Sequence, residues 1–251
     1  MPTPSSTPAL DARLLVKRFP GVNAVDEVSI HVHPGEVVGL LGPNGAGKTT
    51  TLRMLAGILT PDAGSVSVAG VAMHEDPLAA KRRLGFLTGD TQLYQRLSPR
   101  EVLRYFGELY SLDRGVLEAR IARLVDELAM SSFADRPCAT LSSGQKQRAN
   151  IARAFLHAPD VLILDEPTTA LDVISGQFIV EAIRRERTAG RAVLFSTHIM
   201  GEAEYLCDRI YLMHSGRIVD EGPLDDLLAR SGQANLTDAF LYHVRASAVR
   251  A

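Results

Sequence analysis

Residues 42–50 read Gly-Pro-Asn-Gly-Ala-Gly-Lys-Thr-Thr: a glycine, four residues, then Gly47-Lys48-Thr49. This is the pattern of a loop that cradles phosphates. Upstream, Glu36-Val-Val-Gly-Leu-Leu41 has the unbroken apolar character of a short buried strand, and downstream Lys48–Ala56 sets Leu52 and Leu55 at helical spacing. The order strand, loop, helix is the context the pattern requires. Gly42, Gly45 and Gly47 let the backbone turn tightly, and the stretch Asn44, Gly45, Ala46, Gly47, Lys48, Thr49, Thr50 then presents successive N–H groups to an anion at the positive end of the helix dipole. Lys48 would reach the β- and γ-phosphates of a nucleotide, and the Thr49 hydroxyl would ligate Mg²⁺.

A chain of 251 residues allows one large domain or two lobes around a sizeable core. The 27 Lys and Arg against 29 Asp and Glu leave a net charge of -2 with no basic arm or stripe, so nucleic acid is not expected as a partner. Cys138 and Cys207 lie far apart and without metal-ligand spacing, which suits two small buried hydrophobes in a reducing compartment. No run approaches the roughly 18 apolar residues of a membrane span, so work at a membrane is expected to go through a partner.

The first ten residues, with three prolines among Ser and Thr, read as a mobile tail. Ala12–Arg18 reads as a strand ending at Phe19-Pro20-Gly21, and Val28–Val32 alternates as a second, which suggests an antiparallel β patch. Phe19 stands at the strand end, where an aromatic ring can either stack on a base or pack into the turn. Ser65–Val68 resumes alternation, a short helix spans Pro77–Arg83, and Leu84–Leu87 is a strand. The character then changes. Ser98-Pro99-Arg100-Glu101 is a capping box that opens an amphipathic helix through about Tyr110. A second helix, about Gly115–Met130, carries Val116, Ile121, Leu124, Val125 and Leu128 on one face. Residues 97–158 thus read as a helical insertion in an α/β core of residues 11–96 and 159–222, followed by C-terminal helices in 223–244.

Leu141-Ser142-Ser143-Gly144-Gln145 precedes another helix and offers either a simple cap or a second anion-receiving helix start. Asp160–Leu164 is an apolar strand that delivers Asp165 and Glu166 at its end. Asp165 can hold a Mg²⁺ shell through water. Because side chains alternate along a strand, Glu166 is better placed to orient or deprotonate a water attacking the γ-phosphate. Asp172 opens the helix of about residues 173–189. His198 follows the strand Ala192–Phe195, and the carboxyl ends of such strands are where α/β folds bind ligands.

Taken in order, the Gly42–Thr50 loop, Leu141–Gln145, Leu162-Ile-Leu-Asp-Glu166, Ala170-Leu-Asp172 and His198 resemble the motif set of the ATP-binding subunit of an ABC transporter, over nearly all of the chain beyond the tail. The resemblance implies an α/β phosphate-loop NTPase core with a mixed, largely parallel sheet, an antiparallel β patch and an inserted α-helical subdomain. It implies ATP and Mg²⁺ as cofactors, with Thr49 and Asp165 on the metal and Glu166 and His198 catalytic, His198 at the γ-phosphate. It also implies a second copy of the chain closing head-to-tail, so that ATP at Lys48 of one copy is capped by Ser142, Ser143, Gly144 and Gln145 of the other. Asp172 would cross that interface, and Phe19 falls at the position of the adenine-stacking aromatic. A separate membrane permease would receive the motion at the inner face of the cell membrane, and Tyr94, Leu97, Tyr105 and Phe106 are either its docking residues or packing of the helical region.

Two departures from the family pattern stand out. Ser143 occupies the place of a second glycine, and Gly89 falls where the family usually has a glutamine that senses Mg²⁺ and the attacking water. Asp90 or Gln92 would then substitute, or the water is positioned without that ligand. Leu93–Ser98 and Leu236–Leu241 are similar to exporter subunits related to sodium-extrusion and drug-resistance ATPases. The alternatives are a nucleotide-binding regulatory subunit with weak hydrolysis and a soluble ATPase of the same family.

Overall fold

A computed structural model describes residues 7–89, 91–169 and 171–248; Asp90 and Ala170, both named above, lie outside the described residues. In chain order the elements are β1 (Leu10–Phe19), β2 (Val22–Val32), β3 (Val37–Leu41), α1 (Lys48–Leu55), β4 (Ala63–Val68), β5 (Val71–Ala72), α2 (Pro77–Arg82) and β6 (Leu84–Leu87). Then come α3 (Pro99–Leu109), α4 (Arg114–Glu127), a 3₁₀ turn at Cys138–Thr140 and α5 (Ser143–Phe155). The chain continues through β7 (Val161–Asp165), α6 (Val173–Thr188), β8 (Ala192–Thr197), α7 (Met200–Leu206), β9 (Arg209–His214), β10 (Arg217–Gly222), α8 (Leu224–Ser231) and α9 (Leu236–Ala248).

Two sheets result. One has the order β10-β9-β3-β8-β7-β6, parallel throughout except for the β10–β9 hairpin at its edge. The other is antiparallel, in the order β2-β1-β4-β5. Every residue of β3, β7 and β8 is buried, as expected of parallel strands covered on both faces. Their side chains divide by parity. Val38, Leu40, Ile163 and Leu194 pack toward β1, β2 and α1, whereas Val37, Leu162, Leu164, Val193 and Phe195 pack toward the helical region. A third apolar cluster of Leu41, Ile210, Leu212, Leu227, Leu236 and Phe240 seats α8 and α9 on the sheet edge.

Several expectations move. Ala9 and Leu10 are buried and the Ala9 amide donates to the Val32 carbonyl at 2.9 Å, so the sheet begins inside the segment read as tail. Strand β2 starts six residues earlier than its alternating core, at Val22 rather than Val28, because Asp26 and Glu27 interrupt the pattern and Glu27 adopts a left-handed backbone, φ 54°. Along α4 and its C-cap the buried residues are Leu117, Ile121, Leu124, Val125 and Leu128, while Val116 is 45% exposed. Assigning Val116 to that face was one position out of phase, about 100° around the helix.

Candidate active site

Strand β3 lies between β8 and β9, and the ends of β3, β7 and β8 open on one edge of the sheet. That edge gathers the 42–47 loop, the Asp165–Glu166 pair and the Thr197–His198 corner, as the ligand-binding rule for parallel sheets requires. Gly47 ends the loop at φ 106° and caps α1 without any side-chain hydrogen bond. By contrast α2, α3, α4, α5 and α6 are capped by the side chains of Asp76, Ser98, Asp113, Ser142 and Asp172. The first N–H groups of α1 are therefore donors left for a ligand.

The loop is fixed from outside by the β9–β10 turn. The Gly216 amide donates to the Ala46 carbonyl at 2.9 Å, and the Asp26 amide donates to the Gly216 carbonyl at 2.8 Å. A Cβ on Gly42 would collide with the Met213 carbonyl oxygen, and one on Gly47 would lie 2.5 Å from the Ala24 carbonyl oxygen and 2.7 Å from Met213 Cε. Gly47→Ala is accordingly expected to overpack the site by about 1–3 kcal/mol and to lower both Tm and ATP affinity. A melt at the wild-type temperature would show that the loop yields freely.

Beside the loop is a cavity of about 420 Å³, bounded by residues 22–24 of β2, residues 43–50, Glu166, and the Ser215-Gly216 turn. Lys48 is 6% exposed, and its Nζ donates to the carbonyl oxygens of Gly42 (2.7 Å) and Pro43 (3.2 Å) and pairs with Glu166 Oε1 at 3.6 Å. Thr49 is exposed on the cavity wall. Asp165 is buried at the end of β7, where its Oδ1 accepts from Ser196 Oγ at 2.6 Å.

Glu166 does not continue the strand. Its backbone turns left-handed, φ 48°, and this turn, rather than strand alternation, aims the carboxylate into the cavity. There Oε1 accepts from His198 Nδ1 at 3.2 Å and Oε2 accepts from Thr169 Oγ1 at 3.0 Å. Burial pushes the Glu166 pKa up, but the hydrogen bonds from His198 and Thr169, with the charges of His198 and Lys48, outweigh it and hold the group below the usual glutamate value. The carboxylate is ionised at neutral pH, as a proton acceptor must be.

The structure thus brings Asn44–Thr50 and Glu166 together at the cavity, whereas His198 reaches it through the Glu166 carboxylate and Asp165, buried against Ser196, is not among the lining residues. It does not bring the other expected residues to this cavity. Phe19 is exposed at the β1–β2 turn and is not among the lining residues, where its strand partner Val22 stands instead. Ser142 and Gln145 form a reciprocal capping box at α5, and Gly144 is packed against Ser175 of α6, away from the cavity. Asp172 caps α6 by accepting from the Ser175 amide and hydroxyl, each at 2.9 Å. Gly89 and Gln92 are exposed and do not line the cavity. Conversely, Thr169 and Ser196 escaped the sequence reading. Thr169 could have been noticed at three residues beyond Glu166, but Ser196 is brought beside Asp165 by the pairing of strands distant in sequence.

Residues 25–169, which hold the loop, Leu141–Gln145 and the Asp165–Glu166 pair, match the family model for ABC transporters. The chain belongs to the ABC transporter family. The ABC transporter ATP-binding protein NatA of Bacillus subtilis (strain 168) is 41% identical over 221 residues, covering 88% of this chain and 90% of NatA. The Nod factor export ATP-binding protein I of Cupriavidus pinatubonensis is 37% identical over 228 residues, covering 91% of this chain and 70% of that protein. A solved ATP binding subunit of an ABC transporter superposes with a TM-score of 0.88 at 31% identity, over 94% of this chain and 99% of that one. The fold class read from the sequence, a phosphate-loop α/β core with an antiparallel sheet and helices, is that of the ABC ATPase domain. As an ABC ATP-binding subunit, the chain is an ATPase that binds ATP.

Proposed function

We propose that this ABC subunit drives an exporter, binding ATP and Mg²⁺ in the cavity beside Lys48 and hydrolysing the γ-phosphate bond with Glu166 as base. The observation that carries the reading is the meeting of Lys48 Nζ and Glu166 Oε1, 3.6 Å apart, at a cavity from which Ser142–Gln145 is absent. A phosphate-binding lysine and an ionised carboxylate together make one half of a site. The second helix start is outward-facing at the exposed Ser142 and Ser143, and because the Ser142 hydroxyl takes only the Gln145 amide, the amides before it suit the other half of a second copy's site. Head-to-tail closure of two copies would then complete two sites at once, with Asp172 at the seam. The export direction is taken from the relative named for Nod factor export.

Each protein group has a distinct task. Amides of Asn44–Thr50 and Lys48 would hold the phosphates. Thr49 and Asp165 would hold Mg²⁺, a hard cation that takes oxygen ligands and shares its shell with phosphate and water. Among the described residues no group of three or more His, Cys, Asp or Glu could hold a metal. Mg²⁺ when bound supplies charge neutralisation at the β- and γ-oxygens. Glu166 takes the proton of the attacking water, and His198 fixes the Glu166 carboxylate. Phe19, on the turn next to Val22, is proposed to fold over the base when nucleotide enters.

No described helix is long and apolar enough to cross a membrane, so contact with the membrane is assigned to a permease. Tyr94 and Tyr105 are the exposed members of an aromatic group with Phe106, ring centroids 5.4–6.4 Å apart, whereas Leu97 and Phe106 pack against the helical core. Tyr94 and Tyr105 are the proposed docking residues.

Two readings differ in outcome. If the site is completed by a second copy, ATPase activity per chain rises with protein concentration until the dimer saturates. Gly89, which lacks any side chain to hold the attacking water, favours instead a subunit that binds ATP and hardly hydrolyses it. Steady-state phosphate release measured over about a hundredfold range of concentration separates the two, because the second reading gives a flat background rate.

A further inference from the structure

We propose that Ser196 is a positioning residue for hydrolysis, fixing Asp165 and Glu166 relative to each other through a single hydroxyl; this rests on the assignment of Glu166 as the base. Ser196 sits in β8 between β3 and β7, opposite Asp165 in the parallel register, and is fully buried. Its Oγ donates to Asp165 Oδ1 at 2.6 Å and accepts from the Glu166 amide at 3.1 Å. The same amide lies 3.2 Å from the Ser196 carbonyl oxygen, so two acceptors of one residue hold it.

The direction of these bonds is not adjustable. A carboxylate can only accept and an amide can only donate, so the hydroxyl proton belongs to Asp165 and a lone pair belongs to Glu166. Both bonds exist together only while the two residues keep their present spacing. The amide that Ser196 holds is the one at φ 48°, a conformation a glutamate adopts only when its surroundings impose it. That turn aims the side chain at the cavity, where His198 and Thr169 hold the two carboxylate oxygens. Ser196 therefore controls the base from its backbone, and those two residues control it from its tip. Through Asp165 the same hydroxyl refers the base to the carboxylate proposed for the metal side of the site.

Ser196 touches neither the cavity nor any phosphate-binding residue, so its loss should act on kcat and spare binding. In the full-length chain, Ser196→Ala is expected to lower kcat by about 10- to 100-fold, the scale of a misplaced catalytic group, with the ATP Kd within about twofold of wild type. Ser196→Thr keeps the hydroxyl and should recover most of the loss, whereas the equally large Ser196→Val should not. In a Glu166→Gln background, adding Ser196→Ala should lower single-turnover hydrolysis by much less than it does in the wild type, because only the hold on Asp165 is left to lose. An unchanged kcat in Ser196→Ala overturns the proposal. So does equal activity in the Thr and Val variants, activity that tracks Tm across the series, or a fall in the double variant as large as that in the wild type. If wild type itself binds ATP without turnover, the hydrolytic role of Glu166 fails first, and Ser196 loses its part with it.

Discussion

Glu166→Gln is expected to cut ATP turnover by about 10²- to 10⁴-fold, the usual contribution of a general base, while ATP binding stays within about twofold. Glutamine keeps the size of the side chain and can still meet Thr169 and His198, but it cannot take a proton. The phosphate-binding half of the site is built from residues 42–50 and does not depend on the Glu166 charge, apart from the Lys48 pair at 3.6 Å. Binding without hydrolysis should therefore hold two copies together, seen as an ATP-dependent shift to twice the chain mass in size-exclusion chromatography. The pH profile offers a second reading of the same group. With the folded pKa held below the usual glutamate value, the group stays ionised and competent above that pKa and loses its base function only as pH falls through it. The rate of the wild type should thus show no loss from this group between about pH 6 and 8. Normal turnover in Glu166→Gln would remove the carboxylate from the chemistry and leave it as a partner of Lys48 alone.

Local rules made the phosphate loop legible, because its glycines answer a steric demand that any sequence must meet in the same way. Gly47 has to be glycine at φ 106° with the Ala24 carbonyl 2.5 Å from where a Cβ would stand. The buried strands were legible for a related reason: β3, β7 and β8 are apolar on both faces, and only a covered parallel sheet tolerates that. What stayed hidden depends on pairing between distant strands. Ser196 meets Asp165 across 31 residues of sequence, and the Ser215-Gly216 turn closes the cavity wall from the far end of the chain. The turn at Glu166 was hidden too, since nothing in Asp-Glu-Pro announces a left-handed glutamate. The β2 start at Val22 and the exposure of Val116 were missed for the opposite reason, where a local pattern was followed and tertiary packing overruled it. The 97–158 segment was read as helical from the disappearance of strand signals; α3 opens at the expected capping box, whereas α4 ends at Glu127, three residues short of the expected Met130.

Lys48→Ala should remove most of the affinity for ATP. Lys48 is nearly buried, so its ammonium is already stripped of water and held by two loop carbonyls and Glu166. A phosphate that replaces those partners meets a preorganised, poorly hydrated charge, and truncating one side of such a pair costs about 2–5 kcal/mol, or roughly 30- to several-thousand-fold in Kd. The variant should still fold. Alanine is the best helix former, and the loss of three interactions to the ammonium is offset in part because no charge remains to be buried. The two effects separate in a thermal melt. At an ATP concentration of 100 times the wild-type Kd, binding stabilises the wild type by about 2.7 kcal/mol, whereas a variant weakened a hundredfold gains only about 0.4 kcal/mol. In a protein of this size that is a Tm rise of about 5–10 °C for the wild type against about 1 °C for the variant. An equal rise in both would show that Lys48 does not hold the nucleotide, and the ammonium would then be a structural bridge between the loop and Glu166. A variant that melts several degrees lower without ATP, yet keeps the full rise with it, would point to the same conclusion.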